Sequence, residues 1–138
     1  MITWKKDPFN NERSEFFRIT TQYSPPDKKQ INENFILLQQ LYNKASKVSL
    51  IDRDWRKLGN TDSFETDTMQ EVYAALKRNN APRDVDRILR QYVSGSVSCP
   101  IVIKFGDGRL ELVAGNTRLM LARVLKIRPK IILVETDW

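Results

Sequence analysis

The residues in this chain best suited to chemistry are Gly115-Asn116-Thr117-Arg118, a glycine followed by an arginine within one helical turn. A helical stripe starts here, with Arg118, Ala122 and Leu125 on one inward face. First-turn backbone N–H groups have no intrahelical acceptor, and the helix dipole makes that end partly positive. A cation there has the unfavourable sign, by roughly 0.3–1 kcal/mol. An inward arginine at a positive helix end is best explained by an anion beside it, and phosphate is the usual occupant. A plainer account competes with this one: an arginine paired with a nearby carboxylate, or snorkelling from a core helix. Asn116 can cap the helix and the Thr117 hydroxyl can donate to phosphate, so one loop can serve both purposes.

Reaction at a bound phosphate would need carboxylates close by, and Leu50-Ile51-Asp52-Arg53-Asp54-Trp55-Arg56 is the richest source. Asp52 and Asp54 are the candidate carboxylates of that segment. The alternative is two surface carboxylates paired with Arg53 and Arg56. Trp55 is suited to stacking on a base or to packing. Asp62, Glu65 and Asp67 around Thr66 are explained as a helix start. Asp107 lies in a Gly-Asp-Gly hairpin turn, where turn geometry accounts for it. Cys99, with no histidine in the chain to lower its pKa, is a buried structural thiol rather than a nucleophile. One cysteine and no histidine also exclude an ordinary structural zinc site.

These groups must be positioned by strands and helices that the pattern outlines. Cys99 to Glu135 reads as two strands joined by Gly106-Asp107-Gly108, a helix opened by the Gly115 loop, and a final strand. Upstream, Phe16-Phe17-Arg18-Ile19-Thr20-Thr21 predicts a strand broken by Pro25-Pro26. Ile31, Phe35, Leu38, Tyr42 and Ala45 recur at helical spacing between Asp27 and Ala45. Met69, Val72, Tyr73 and Leu76 mark the core stripe of a second helix. Val85, Ile88, Leu89 and Tyr92 mark a third, with Pro82 in its first turn after Asn80. Asn79 to Pro82 is a hinge candidate but not a domain boundary. There is no internal repeat, and 138 residues fit a single domain, 1–138. Within it, residues 1–80 are mostly helical and residues 81–138 carry the phosphate-binding pattern.

The segment from Pro100 to Glu135 resembles the ParB/sulfiredoxin-like superfamily. The residues that carry the likeness are Pro100-Ile101-Val102-Ile103, Gly106-Asp107-Gly108, Leu112-Val113-Ala114-Gly115, Arg118, Ala122, Leu125 and Ile131-Ile132-Leu133-Val134-Glu135. The resemblance implies an α+β fold, a small mixed sheet packed with helices, preceded here by a helical N-terminal extension. It implies that Gly115, Asn116, Thr117 and Arg118 hold nucleotide phosphates. In the superfamily's small-molecule kinases an acidic residue from the early part of the fold activates the accepting hydroxyl, a role open here to Asp52 or Asp54. Departures are informative too. Sulfiredoxins carry Cys and His between the Gly and the Arg, where this chain has Asn116 and Thr117, so sulfinic-acid reduction is not expected. Partition proteins continue into a helix-turn-helix domain and have a second Arg at the position of Thr117. A stand-alone domain is therefore expected.

The formal charge is +6, and residues 99–138 hold half the excess with seven basic against four acidic residues. Arg123, Lys126, Arg128 and Lys130 lie close together after the GxxR helix, as a cluster able to follow a nucleic-acid backbone or as a solvated rim. A nucleic acid, DNA or RNA, is favoured over an acidic protein as the macromolecular partner, with DNA first. No apolar run approaches the roughly 20 residues of a membrane span. The first residues lack a signal region, and a single cysteine fits a reducing compartment, so a cytoplasmic location is expected, the host's if the protein is phage-encoded. Three functions are consistent with these features. The first is a kinase that takes ATP or another nucleotide, with magnesium, and phosphorylates an alcohol such as a hydroxymethylated pyrimidine in DNA. The second is a metal-dependent nuclease, and the third a nucleotide-gated DNA-binding module without catalysis.

Overall fold

Three consecutive apolar β-branched residues, Ile101, Val102 and Ile103, are all buried, as expected of a strand covered on both faces. In the computed structural model, which describes residues 1–78 and 84–138, they form the middle of a four-stranded sheet. Along the chain the elements are β1 (Thr3–Lys5), α1 (Arg13–Tyr23), α2 (Lys28–Lys44), β2 (Lys47–Ser49), α3 (Asp52–Lys57), α4 (Met69–Arg78), α5 (Asp84–Ser94), β3 (Ser96–Ser98), β4 (Ile101–Lys104), β5 (Leu110–Ala114), α6 (Asn116–Val124) and β6 (Lys130–Glu135). Short 3-10 turns lie at Phe9–Glu12 and Ser63–Glu65. The sheet order is β2-β6-β4-β5, with β4 parallel to β6 and antiparallel to β5. A separate parallel pair joins β1 to β3. The result is a mixed α/β fold around one core cluster that runs from Trp4 to Val134. Among the described residues, no helix is long and apolar enough to cross a membrane. The expected hinge at Asn79 to Pro82, and Pro82's place in a first turn, lie outside the described residues.

The C-terminal third follows the expected order of hairpin, helix and strand. Gly108 takes φ 90° in the β4–β5 turn, and Asp107 Oδ1 accepts the Arg109 N–H at 3.0 Å. The helix expected from Asp27 is α2, and Asp27 is its N-cap, accepting the Lys29 N–H at 3.2 Å. The helix start expected at Thr66 falls two residues later. Thr68 Oγ1 accepts the Glu71 N–H and donates to its carboxylate, both at 3.2 Å, so Thr68 caps the helix through its side chain.

Three expectations are corrected. Phe16 to Thr21 is not a strand but the body of α1. Its apolar residues fall at helical spacing, so Phe16, Ile19 and Thr20 form one buried stripe, and Phe16 stacks on Phe9 at 4.5 Å. Packing outweighs β-propensity there. Tyr73 is half exposed, because the buried stripe of α4 is Val72 and Leu76. Leu125 is 43% exposed rather than inward, because α6 ends at Val124 and the chain turns away.

The N-terminal segment is tied down along its length. After β1, Cys99 N–H donates to Lys5 O at 2.8 Å, and Lys6 Nζ donates to Ala45 O at 2.8 Å beyond the end of α2. Tyr42 then donates its hydroxyl to Asp7 O at 2.5 Å. The chain is thus strapped between β3 and α2, and the Phe9–Glu12 turn is carried to the N-terminal end of α6.

Candidate functional site

Gly115 is the residue that makes this site buildable. It is the N-cap of α6, with φ 110° and ψ 25°, a conformation that L side chains rarely adopt. A Cβ here would stand 2.7 Å from Pro100 Cβ and 3.1 Å from Arg118 Nη2. Pro100 therefore backs the loop, and only glycine fits between it and the arginine. The first N–H groups of α6, from Asn116 to Arg118, point out of this end by helix geometry. Asn116 does not cap the helix as the sequence suggested, since it already lies inside it. Its Oδ1 instead accepts the Thr61 hydroxyl at 2.5 Å.

Arg118 is buried at 8% exposure. Its Nη1 donates to the carbonyls of Ser98 and Cys99 at 3.2 and 3.3 Å. Its Nη2 lies 3.5 Å from Glu12 Oε1. Its own carbonyl accepts the Tyr92 hydroxyl at 2.6 Å. Burial pulls the Arg118 pKa below its ordinary value, and the charges of Glu12 and Asp7 act against that pull. Burial pushes the Glu12 carboxyl up, with Arg118 opposing. The inward arginine that the spacing predicts is thus present, and so is the carboxylate partner that the plainer account required.

Around these groups opens a cleft of about 600 Å³. Gly115, Asn116, Thr117 and Arg118 all line it. Two further arginines line the same space, Arg18 from α1 and Arg87 from α5, together with three carboxylates, Asp7, Glu12 and Glu15. Arg18 is held by Glu15 at 2.9 Å and reaches Val113 O at 3.4 Å. Sequence reasoning missed Asp7, Glu12, Glu15, Arg18 and Arg87, the charged residues besides Arg118 that line this cleft among the described residues, because they come from distant parts of the chain. The one available signal was the density of acids and arginines between Asp7 and Arg18.

The remaining predicted residues are not brought to this cleft. Asp52 lies on α3 beside a different depression, with Asp67, Arg123, Lys126 and Arg128. Asp54 is paired with Arg53 at 3.3 Å and faces a third one, toward the β4–β5 turn. Neither lines the GxxR cleft: α3 packs against the Ser63–Glu65 turn, and the carboxylates at the cleft come from the N-terminal segment. Trp55 is a packing residue, 3% exposed, with its indole N–H on Ser63 Oγ at 2.9 Å. A polar thread nonetheless joins it to the site, since Ser63 N–H donates to the Thr61 hydroxyl that holds Asn116. Cys99 is a buried free thiol, pushed up to about 11 by burial.

The basic cluster divides. Arg123 is consumed by packing: its Nε donates to Phe64 O at 2.6 Å and its guanidinium sits 3.9 Å from the Phe64 ring centroid. Lys126, Arg128 and Lys130 are exposed. They lie at the C-terminal end of α6 and beyond, roughly 12 Å of helix away from the GxxR loop at 1.5 Å per residue.

No family model, no curated protein and no solved structure matches this chain.

Proposed function

We propose that this chain is a nucleotide-dependent phosphotransferase with a ParB/sulfiredoxin-like core. The acceptor would be an alcohol, most readily a hydroxymethylated pyrimidine base in DNA. The observation that carries the reading is the convergence, on one cleft, of the α6 N-terminus, Arg118, two further arginines and the Glu12 carboxylate. The β5–loop–α6–β6 order and the parallel β4–β6 pair support the fold assignment.

In this reading Gly115, Asn116, Thr117 and Arg118 hold the nucleotide phosphates through backbone N–H groups, the Thr117 hydroxyl and the guanidinium. Arg18 and Arg87 neutralise charge that develops on the transferred group, and preorganised cations in a half-closed cleft need no rearrangement at the moment of transfer. A divalent ion such as magnesium would enter with the phosphates. Glu12, rather than Asp52 or Asp54, takes the role of general base. Burial raises its proton affinity above that of an ordinary carboxylate, with Arg118 opposing, and a stronger proton acceptor is what a general base requires. The exposed Lys126, Arg128 and Lys130 offer a DNA backbone an electrostatic landing place.

The test begins with melting curves in ATP, ADP, CTP and GTP with magnesium, on the wild type and Arg118→Ala. At 100 times its dissociation constant a ligand adds about 2.7 kcal/mol to the folded state. A shift for one nucleotide that disappears in the variant selects the donor for a label-transfer assay on hydroxymethylated DNA. Transfer that needs Arg118 supports the kinase. Nucleotide-dependent DNA retention without turnover would make the protein a gated binding module. Magnesium-dependent nicking that needs no nucleotide would make it a nuclease. No nucleotide shift at all would sink the proposal.

A further inference from the structure

Arg118 has two terminal nitrogens, and they are not equivalent. Nη1 is fixed by two backbone carbonyls, Ser98 O and Cys99 O, which hold the guanidinium in place whatever else happens. Nη2 lies between the Gly115 loop and Glu12, on the side from which a phosphate would approach the first turn of α6. The Glu12 carboxylate stands on that side at 3.5 Å. That separation is longer than the 2.7–2.9 Å of a charge-assisted hydrogen bond, so the pair is ionic contact without a short bond.

Glu12 is also free to leave. It is the N-cap residue of α1 yet makes no side-chain cap bond, and its side chain keeps 26% of its exposure. A change of rotamer would move the carboxylate off Arg118 with no change in the backbone. Among the described residues, the charged groups that act on Glu12 are Arg118 on α6, Arg87 on α5, Glu15 on α1 and Asp7 in the strap.

We propose that Glu12 is a built-in occupant of the anion site, holding Arg118 Nη2 in the free protein and giving it up to an incoming phosphate. The inference rests on the reading that this cleft takes phosphate, and adds that ligand entry and release of Glu12 are one event. It makes anion affinity depend on the charge of a protein side chain. As pH falls, Glu12 takes up a proton before an ordinary carboxylate does, because burial, Glu15 and Asp7 all favour its neutral form. Arg118 Nη2 is then vacated, and an anion of constant charge binds more tightly.

Sulfate is the suitable probe, because it stays a dianion from pH 8 to pH 5, whereas phosphate esters do not. Calorimetric titration of sulfate, and of magnesium ATP at pH 8, would compare the wild type with Glu12→Gln, Glu12→Asp and Arg118→Ala. Wild-type sulfate affinity should rise several-fold from pH 8 to pH 5. Glu12→Gln should bind about tenfold more tightly than the wild type at pH 8, equivalent to about 1.4 kcal/mol, and show a flatter pH profile. Asp7 and Glu15 remain in that variant, so its profile isolates the part due to Glu12. Glu12→Asp, with a carboxylate retracted by one methylene, should fall between. If Glu12→Gln fails to fold, the wild-type pH profile and Glu12→Asp still decide. Equal affinity and an equal profile in wild type and Glu12→Gln, with binding lost in Arg118→Ala, would overturn the occupant and leave the phosphate site standing. Undiminished sulfate and ATP binding in Arg118→Ala would instead overturn the phosphate reading itself.

Discussion

The two ends of α6 carry similar residues and do different things. At the N-terminal end an arginine is buried against the helix dipole, and the cost is offset by two carbonyls and a displaceable carboxylate. At the C-terminal end Arg123 sits where the dipole favours a cation, and its charge is spent on the Phe64 carbonyl and ring. Placement against the field, rather than charge, separates a site from scaffold. A cation in the favourable position needs no ligand to explain it. A cation in the unfavourable position needs compensating partners, which Arg118 finds in two carbonyls and Glu12.

The sharpest way to break the comparison is at the glycine that opens the N-terminal end. Gly115→Ala combines φ 110° with a Cβ 2.7 Å from Pro100 Cβ. Strain and overlap together should cost about 3 kcal/mol, read as a fall in melting temperature of roughly 10 °C. Gly108→Ala is the control, since φ 90° is again unfavourable but nothing lies within 4 Å of the new Cβ. It should lose less than half as much. Equal losses would mean that Pro100 does not constrain the loop.

Removal of the arginines should separate binding from folding. Arg118→Ala should abolish the nucleotide-induced stabilisation, about 2.7 kcal/mol at 100 times the dissociation constant, as seen by melting with and without nucleotide. Arg123→Ala should retain that ligand shift in full while lowering basal stability by about 2 kcal/mol, from a lost charged hydrogen bond and a lost cation–π contact. A loss of the nucleotide shift in Arg123→Ala would erase the distinction between the two ends.

Why the N-terminal end was legible in the sequence, and its partners were not, has a physical explanation. A glycine before an arginine at a helix start is local information, and so are the 3.6-residue stripes of α2, α4 and α5 and the Gly-Asp-Gly hairpin. Glu12, Arg18 and Arg87 reach the cleft only through packing of α1 and α5, which no spacing records. Asp52 and Asp54 looked equally good because distance in space was the missing quantity. Arg123 was grouped with Lys126 and Arg128 by adjacency, although its partner, the Phe64 carbonyl, belongs to a turn far back in the chain. The same blindness hid β1, β2 and β3, three-residue strands that exist only through the partners they pair with. In α1 a run rich in β-branched and aromatic residues followed its burial stripe instead of its propensity.

The smallest effect sharpens the comparison at the C-terminal end. Lys126 takes φ 58° just after the helix, a left-handed position usually given to glycine. Its N–H donates to Arg123 O at 3.2 Å, and the next N–H, of Ile127, to Ala122 O at 2.8 Å. These are the paired bonds of a Schellman motif, with a lysine where the backbone asks for a glycine. Lys126→Gly should therefore stabilise the fold by about 1 kcal/mol, measured by urea denaturation, since a left-handed L residue carries a penalty of that order. The same variant should bind DNA more weakly at low salt, because one exposed cation beside Arg128 is gone. Higher stability with weaker DNA binding would mean that Lys126 is kept against the local preference for the sake of its charge. Higher stability with unchanged DNA binding would make this end of α6 scaffold throughout, and would leave the Gly115–Arg118 cleft to carry function alone.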